Sequence, residues 1–339
     1  MTSRKEAIRS AGNLFILGFN GQELSSETAA LLTQSPPAGV ILFAYNLTEA
    51  EQITRLTQQV QTQRQDLPFW ISVDQEGGRV QRCKQGFTRI PTAASIGATG
   101  STEQAYAMAS QVARELRQVG INLNFSPIAD IATRAENPVI GDRSYGSDPE
   151  LVSKMVKATV QGYLDQGVQP CVKHFPGHGD TTTDSHFFLP RVDTPLETLR
   201  QREFKPFQEA FRAECAMVMT AHIMNDHLDR KYPSTLSRYV LQTVLRKELQ
   251  YNHLILSDDM EMKAIADHFG IEEAPGLAVA AGCDLLIYRS ETGARQALES
   301  IIHAIEKGTL PAERVLEACQ RGRTVKEKFF TRLESIAHT

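Results

Sequence analysis

No apolar run in the sequence approaches the length of a membrane-crossing helix, which takes about 20 residues. Positive charge is not in excess either. Lys and Arg number 36 against 40 Asp and Glu, a net charge of −4, which argues against nucleic acid or anionic lipid as a partner. The five cysteines, Cys83, Cys171, Cys215, Cys283 and Cys319, are odd in number, with no CxxC pair and no zinc-knuckle spacing. Three of them lie in or beside apolar runs, where cysteine is usually a small buried hydrophobe, so a reducing cytoplasm is the expected compartment. The N-terminus, MTSRKEAIRSAGNLFILGF, is charged and then briefly apolar. It lacks a long apolar core and a small-residue cleavage site, and does not read as a signal peptide. Repeats, low-complexity tracts and flexible linkers are also missing, so one domain over residues 1–339 is expected.

What is present is an alternation. Eight short apolar runs read as strands: Leu14–Phe19, Val40–Phe43, Phe69–Val73, Ile121–Phe125, Val168–Val172, Ala216–Thr220, His253–Leu256 and Asp284–Tyr288. Many are almost continuously apolar, as in strands buried on both faces. Amphipathic stretches lie between them: Glu49–Arg64, Glu103–Val119, Pro149–Gln166, Pro195–Ala213 and Gly293–Glu306. Alternating β and α with eight strands predicts an α/β fold of the single-domain (β/α)8 barrel type. A doubly wound open sheet is the alternative, and the absence of GxGxxG after the first strand weighs against it. The stretch from Pro311 to Leu333 is expected to be a last helix on the outside of the barrel.

Loop lengths are unequal. The turns entering strands are short and carry breakers, such as SPPAG before Val40 and QVG before Ile121. The loops leaving strands are long: Asp74 to about Gly100, Pro127 to Asp148, His174 to Thr194, Ile223 to Ser237. Barrel enzymes build their sites on the loops that leave the strands. Ionisable residues mark those exits: Asp74, Asp130, Lys173, His174, His222 and Asp258.

Four segments carry the chemistry. The first is KHFPGHGD followed by TTTDSH, with a lysine, three histidines and two aspartates in the 14 positions from Lys173 to His186. Pro176, Gly177 and Gly179 make it a shaped loop. Asp184 and His186 are two apart, so in an extended segment they face the same way and form a proton shuttle. The second is LSDD, where Asp258 follows an apolar strand as a nucleophile, a general base or a metal ligand. Its neighbour Asp259 suits a helix cap. The third is VDQEGGRVQR, in which Asp74, Arg79 and Arg82 offer paired hydrogen bonds to hydroxyls or a carbonyl oxygen, around Gly77 and Gly78. The fourth, NPVIGDRSYG, is an irregular loop with Arg143 directed at the pocket and Asp142 holding it.

Two reaction classes fit these residues. A metal-dependent barrel hydrolase would take His174, His178, His186, His222 and Asp258 as ligands, but no HExxH and no early HxH is present. Glycoside hydrolysis needs a carboxylate on one side of the scissile bond and a proton donor on the other, with groups to hold a hydroxyl-rich ring, which Asp74, Arg82, Arg143 and Lys173 supply.

With KHFPGHGD, TTTDSH, VDQEGGRVQR, NPVIGDRSYG and LSDDMEMKAI in one chain, the sequence resembles glycoside hydrolase family 3, in particular its single-domain β-N-acetylglucosaminidases (β-hexosaminidases). The likeness runs from about Gly12 to Tyr288. It implies a retaining two-step mechanism without metal or cofactor. Asp258 matches the nucleophile, and His186 with Asp184 the acid/base dyad. Asp74, Arg82, Arg143, Lys173 and His174 match the residues that hold the sugar and its N-acetyl group. It further implies a carbohydrate substrate: terminal β-1,4-linked N-acetylglucosamine on 1,6-anhydro-muramyl fragments of peptidoglycan, cleaved in the cytoplasm by a monomer. A histidine in place of an anionic acid also leaves phosphorolysis of the same bond open.

Overall fold

The apolar runs become strands because both their faces are covered. Along each run, alternate side chains turn to opposite sides. Ile16, Ile41, Leu123, Met217, Met219, Leu254, Leu256, Leu285 and Ile287 fill one cluster. Phe15, Leu17, Val40, Leu42, Ile71 and Val73 join a second cluster with apolar helix faces, such as Ile53, Leu56 and Val60 of the helix Ala50–Gln61. The first cluster is the inside of a barrel, and the second is the layer between barrel and helices.

The chain was analysed as a computed structural model that describes residues 2–64 and 66–337. The strands are β1 (Phe15–Gly18), β2 (Gly39–Leu42), β3 (Trp70–Val73), β4 (Leu123–Asn124), β5 (Gln169–Pro170 continued by Val172–Phe175), β6 (Met217–Thr220), β7 (Leu254–Asp259) and β8 (Leu285–Tyr288). Each pairs in parallel with the next, and β1 pairs with β8. β5 closes the ring. Its first half pairs with β4, placing Leu123 opposite Gln169, and its second half pairs with β6, placing Val218 opposite Val172. The fold is a closed (β/α)8 barrel whose strands fall on the predicted runs, except that β5 and β7 each run three residues further, to Phe175 and Asp259, so that Lys173, His174 and Asp258 lie within strands and not after them.

The helices follow the same pattern with small shifts: Thr102–Gln118 begins on a Ser101 cap, and Pro149–Asp165 on an Asp148 cap. The stretch Pro195–Ala213 divides into two helices, Leu196–Gln201 and Phe204–Arg212. The final helix, Ala312–Ala337, begins in the outer layer, with Val315 and Ala318 in the cluster between barrel and helices, and then turns its second half to the barrel's end. Its Val325 and Phe329 belong to the interior cluster, and the Phe329 ring lies 5.0 Å from that of Trp70, at the start of β3. Lys326 beside them donates to the carbonyl of Ala38, just before β2, at 2.6 Å. The helix therefore covers the N-terminal mouth of the barrel. It acts there as a plug.

At the other mouth the long loops are tied to one another. Gln75–Gly77 and Val80–Gln81 form a small antiparallel ribbon after β3. Arg191–Val192 and Met224–Asn225 join the loops that follow β5 and β6.

Candidate functional site

The ribbon after β3 begins the site. Gly77 has φ +119°, and a side chain there would meet the carbonyl of Pro91 at 2.5 Å, so the turn needs glycine. Gln75 is buried and staples the loop: its Oε1 accepts from the N–H groups of Arg82 and Cys83, both at 2.9 Å. Asp74 and Glu76 carry the charges. The Lys173 ammonium, on β5, lies 2.7 Å from an oxygen of each. Glu76 also receives Nε and Nη2 of Arg143 at 2.8 and 2.9 Å. Asp74, Lys173, Glu76 and Arg143 thus form one chain of alternating charge around a buried lysine. Burial alone would push the Glu76 carboxyl up, but Arg143 and Lys173 outweigh it and hold it well below the usual carboxylate range. Burial likewise opposes the charge on Lys173, and Asp74 with Glu76 overcomes that and raises it.

Glu76 has no role in the sequence reading, yet it binds two of the expected pocket residues. The signal was available: Asp74 and Glu76 are two apart in an extended run and face the same way. Asp142, expected to hold Arg143, instead pairs with Arg79 at 3.1 Å. Arg143 belongs to Glu76 because the ribbon brings that carboxylate to it in bidentate geometry. Arg82 has a buried Nε without a protein partner among the described residues.

β4 and β5 supply a second unit. Their pairing continues past β4, with Ala129 N–H donating to the Lys173 carbonyl at 2.7 Å, and this carries Asp130 alongside His174. The fully buried Asp130 takes His174 Nδ1 at 2.7 Å and the His178 N–H at 2.6 Å. An ionised Asp130 fixes the proton of His174 on Nδ1 and leaves Nε2 for the pocket. Gly179 lets this loop press on the loop that follows β4, since a side chain there would meet the Ile131 carbonyl at 2.0 Å.

β7 carries the two aspartates, and the structure separates them. Asp259 is committed: Arg289 binds one oxygen, and the Glu261 N–H donates to the other at 3.0 Å. Burial pushes its carboxyl up to about 6. Among the described residues Asp258 accepts a single hydrogen bond, from the Asp259 N–H at 2.7 Å. Burial would raise it too, but His174, His222, that N–H and Lys173 prevail and bring it to about 2. Asp258 is a free, ionised carboxylate facing the site.

His186 and Asp184 meet at 2.7 Å between Nδ1 and Oδ1. The segment is a tight turn, not the extended run expected from its spacing. Asp184 Oδ1 also accepts the His186 N–H at 2.8 Å, and the Asp184 carbonyl accepts the N–H groups of Phe187 and Phe188 at 3.0 Å. Aspartate favours such a turn because its short side chain can bond its own backbone two residues on. The dyad forms either way. The His186 ring is about half exposed, 52%, at the lip of the mouth.

His178 and His222, the other two histidines expected near the pocket, have both ring nitrogens engaged within the protein. His178 uses one ring nitrogen on Thr181 at 2.7 Å and the other on Ser185 at 3.3 Å. His222 uses its pair on Thr235 and on the Asp259 carbonyl. Rings committed in this way cannot converge as ligands. Among the described residues no group of three or more His, Cys, Asp or Glu side chains is arranged to hold a metal ion. A hollow of about 460 Å³ walled by Arg64, Trp70 and Lys326 lies at the opposite, N-terminal mouth, away from these groups.

Among the described residues no helix is long and apolar enough to cross a membrane. Comparison with known proteins gives a consistent result. The description "Glycosyl hydrolase family 3 N terminal domain" fits residues 10–325. A β-hexosaminidase of Alkalilimnicola ehrlichii is 37% identical over 278 residues, which cover 80% of this chain and 79% of that one. One from Idiomarina loihiensis is 34% identical over 291 residues, 84% of this chain and 87% of that one. The solved structure of a family 3 β-N-acetylglucosaminidase from a Paenibacillus strain superposes with a TM-score of 0.92 at 39% identity. That match covers 95% of this chain, which spans 62% of the Paenibacillus one.

Proposed function

The chain belongs to glycosyl hydrolase family 3 and is a β-hexosaminidase of it, and from that premise we propose that it is a retaining exo-β-N-acetylglucosaminidase acting through Asp258 and the His186–Asp184 dyad. The observation that carries the reading is Asp258: ionised, bound by one protein hydrogen bond, and beside His174 and Lys173 at the barrel mouth. In the first step an Asp258 oxygen attacks the anomeric carbon. The glycosidic bond breaks, and the proton on His186 Nε2 passes to the departing oxygen. Asp184 holds the other ring nitrogen and so orients the ring. In the second step neutral His186 takes a proton from water, the water oxygen attacks the anomeric carbon, and Asp258 is released. Two inversions give net retention.

Asp74, Lys173 and Arg143 hold sugar hydroxyls, while Arg82 and His174 Nε2 face the N-acetyl group and the ring. Lys173 and Arg143 are fixed by Glu76, so the sugar meets groups already in place. No cofactor is needed. The substrate we propose is a terminal β-1,4-linked N-acetylglucosamine on 1,6-anhydro-muramyl peptidoglycan fragments, recycled in the cytoplasm by a monomer of one domain. Free cysteines, four of them buried, suit that compartment. The test compares an aryl β-N-acetylglucosaminide with the plain β-glucoside, in phosphate buffer and after prolonged chelation. Turnover of the first, release of free N-acetylglucosamine and indifference to the chelator are expected. Preference for the glucoside, a sugar 1-phosphate product, or revival by zinc would each overturn the corresponding part.

A further inference from the structure

Phe187 and Phe188 are the most exposed large apolar side chains among the described residues, at 59% and 64%. The other exposed aromatics there, Tyr45, Tyr106 and Tyr239, each carry a hydroxyl suited to water. Two adjacent bare rings in solvent form a patch that folding does not explain. Their position is fixed by the dyad itself, because both N–H groups donate to the Asp184 carbonyl at 3.0 Å. The same turn is anchored to the barrel. His178 Nε2 bonds Ser185 Oγ at 3.3 Å, and the Ser185 carbonyl accepts the Ala264 N–H, from the helix that follows β7, also at 3.3 Å.

We propose that Phe187 and Phe188 form an aromatic platform for the departing sugar, a subsite that takes the C–H face of a pyranose ring. The proposal rests on His186 being the acid. An acid must touch the glycosidic oxygen, so whatever leaves lies against the residues beside it. A gluco-configured pyranose in its ordinary chair carries axial C–H groups on its faces, and C–H groups meet the electron-rich face of an aromatic ring favourably. Binding sites combine such apolar walls with a few polar groups. Here the polar groups hold the sugar that is transferred, and the rings hold the sugar that departs.

The test uses two glycosides that both need the proton from His186 but differ in leaving group: a β-1,4-linked N-acetylglucosamine disaccharide and methyl β-N-acetylglucosaminide. Only the first departs as a ring. Replacing both residues, Phe187→Ala with Phe188→Ala, is expected to lower kcat/KM on the disaccharide about tenfold, mostly through KM, with a far smaller change on the methyl glycoside. Phe→Trp at both positions restores the disaccharide. Equal losses on the two glycosides would mean a disturbed dyad and would overturn the platform. So would an unchanged disaccharide rate, including one accompanied by a shift in oligomeric mass, which would assign the rings to a second copy of the chain. A wild-type protein that cleaves neither glycoside would defeat the reading of the site itself, and the platform with it.

Discussion

At the scale of single residues, the central fact is how differently two neighbours are bound. Asp259 gives one oxygen to Arg289 and the other to the Glu261 N–H, whereas Asp258 receives only the N–H of the residue after it. Asp258→Asn is expected to cut turnover by more than about 10³-fold, since an amide cannot form the glycosyl ester. Asp259→Asn keeps the turn and should cost less than about tenfold, with a lower melting temperature from the weakened Arg289 pair. Steady-state kinetics on both variants checks this, and the reverse order would reassign the nucleophile. Acidity gives an independent check. Asp258 stands near 2, below its unfolded value, so its ionised form is favoured by the fold. Its contribution to stability is therefore present above the unfolded pKa of about 4 and is lost as pH falls through about 2. Glycosyl-enzyme formation from an activated aryl glycoside needs the nucleophile and little acid. Its single-turnover rate should hold from pH 7 to about pH 4, where the carboxylate remains charged. An acidic limb near neutrality in that step would contradict the assignment.

At the scale of elements, strands and loops differ in how much the sequence reveals. The eight strands were legible because a strand covered on both faces must be apolar almost throughout, and no surface helix is. Runs such as Val40–Phe43 and Ala216–Thr220 lie within a residue or so of β2 and β6. Loop geometry was less legible. The spacing of Asp184 and His186 pointed to a dyad but not to the turn that makes it, because that turn depends on carbonyl bonds to Phe187 and Phe188. Partners across loops were harder still: which carboxylate holds Arg143 depends on where the ribbon after β3 folds back. The last helix shows the same limit, since its apolar stripe does not say which part of the barrel it meets. Its placement has a consequence. Phe329 is nearly buried against Trp70 at the closed mouth, so Phe329→Ala should cost about 3 kcal/mol of stability in a chemical denaturation curve. The kcat of the folded variant should be unchanged, because the proposed catalytic groups sit at the other mouth. A variant as stable as the wild type would show that the helix is not a plug.

At the scale of the whole molecule, the barrel divides its labour between its ends. The N-terminal mouth is closed by the final helix, while the C-terminal mouth collects charged groups from strands distant in sequence: Asp74 after β3, Asp130 after β4, Lys173 and His174 on β5, Asp258 on β7. Most of these charges are tolerated there because they are paired, Lys173 between Asp74 and Glu76, Glu76 with Arg143, Asp130 with His174, while Asp258, with its one hydrogen bond from the Asp259 N–H, is the exception. Such paired groups are held rigidly, and a rigid rim suits a reaction whose transition state carries charge. The half-exposed His186 is the one proposed reacting group outside that rim, and this makes the two chemical steps separable. Without His186, an aryl glycoside can still glycosylate Asp258, because the aryl oxide leaves unaided, but water then lacks its base. The most direct measurement is therefore intact-protein mass spectrometry of His186→Ala incubated with an aryl β-N-acetylglucosaminide, followed by peptide mapping. The expected result is a protein heavier by one N-acetylhexosaminyl residue, with the added mass on the peptide that contains Asp258 and absent from the double variant with Asp258→Asn. An adduct on another residue, or an aryl glycoside consumed with initial release of the α-anomer and no adduct at any time, would contradict it.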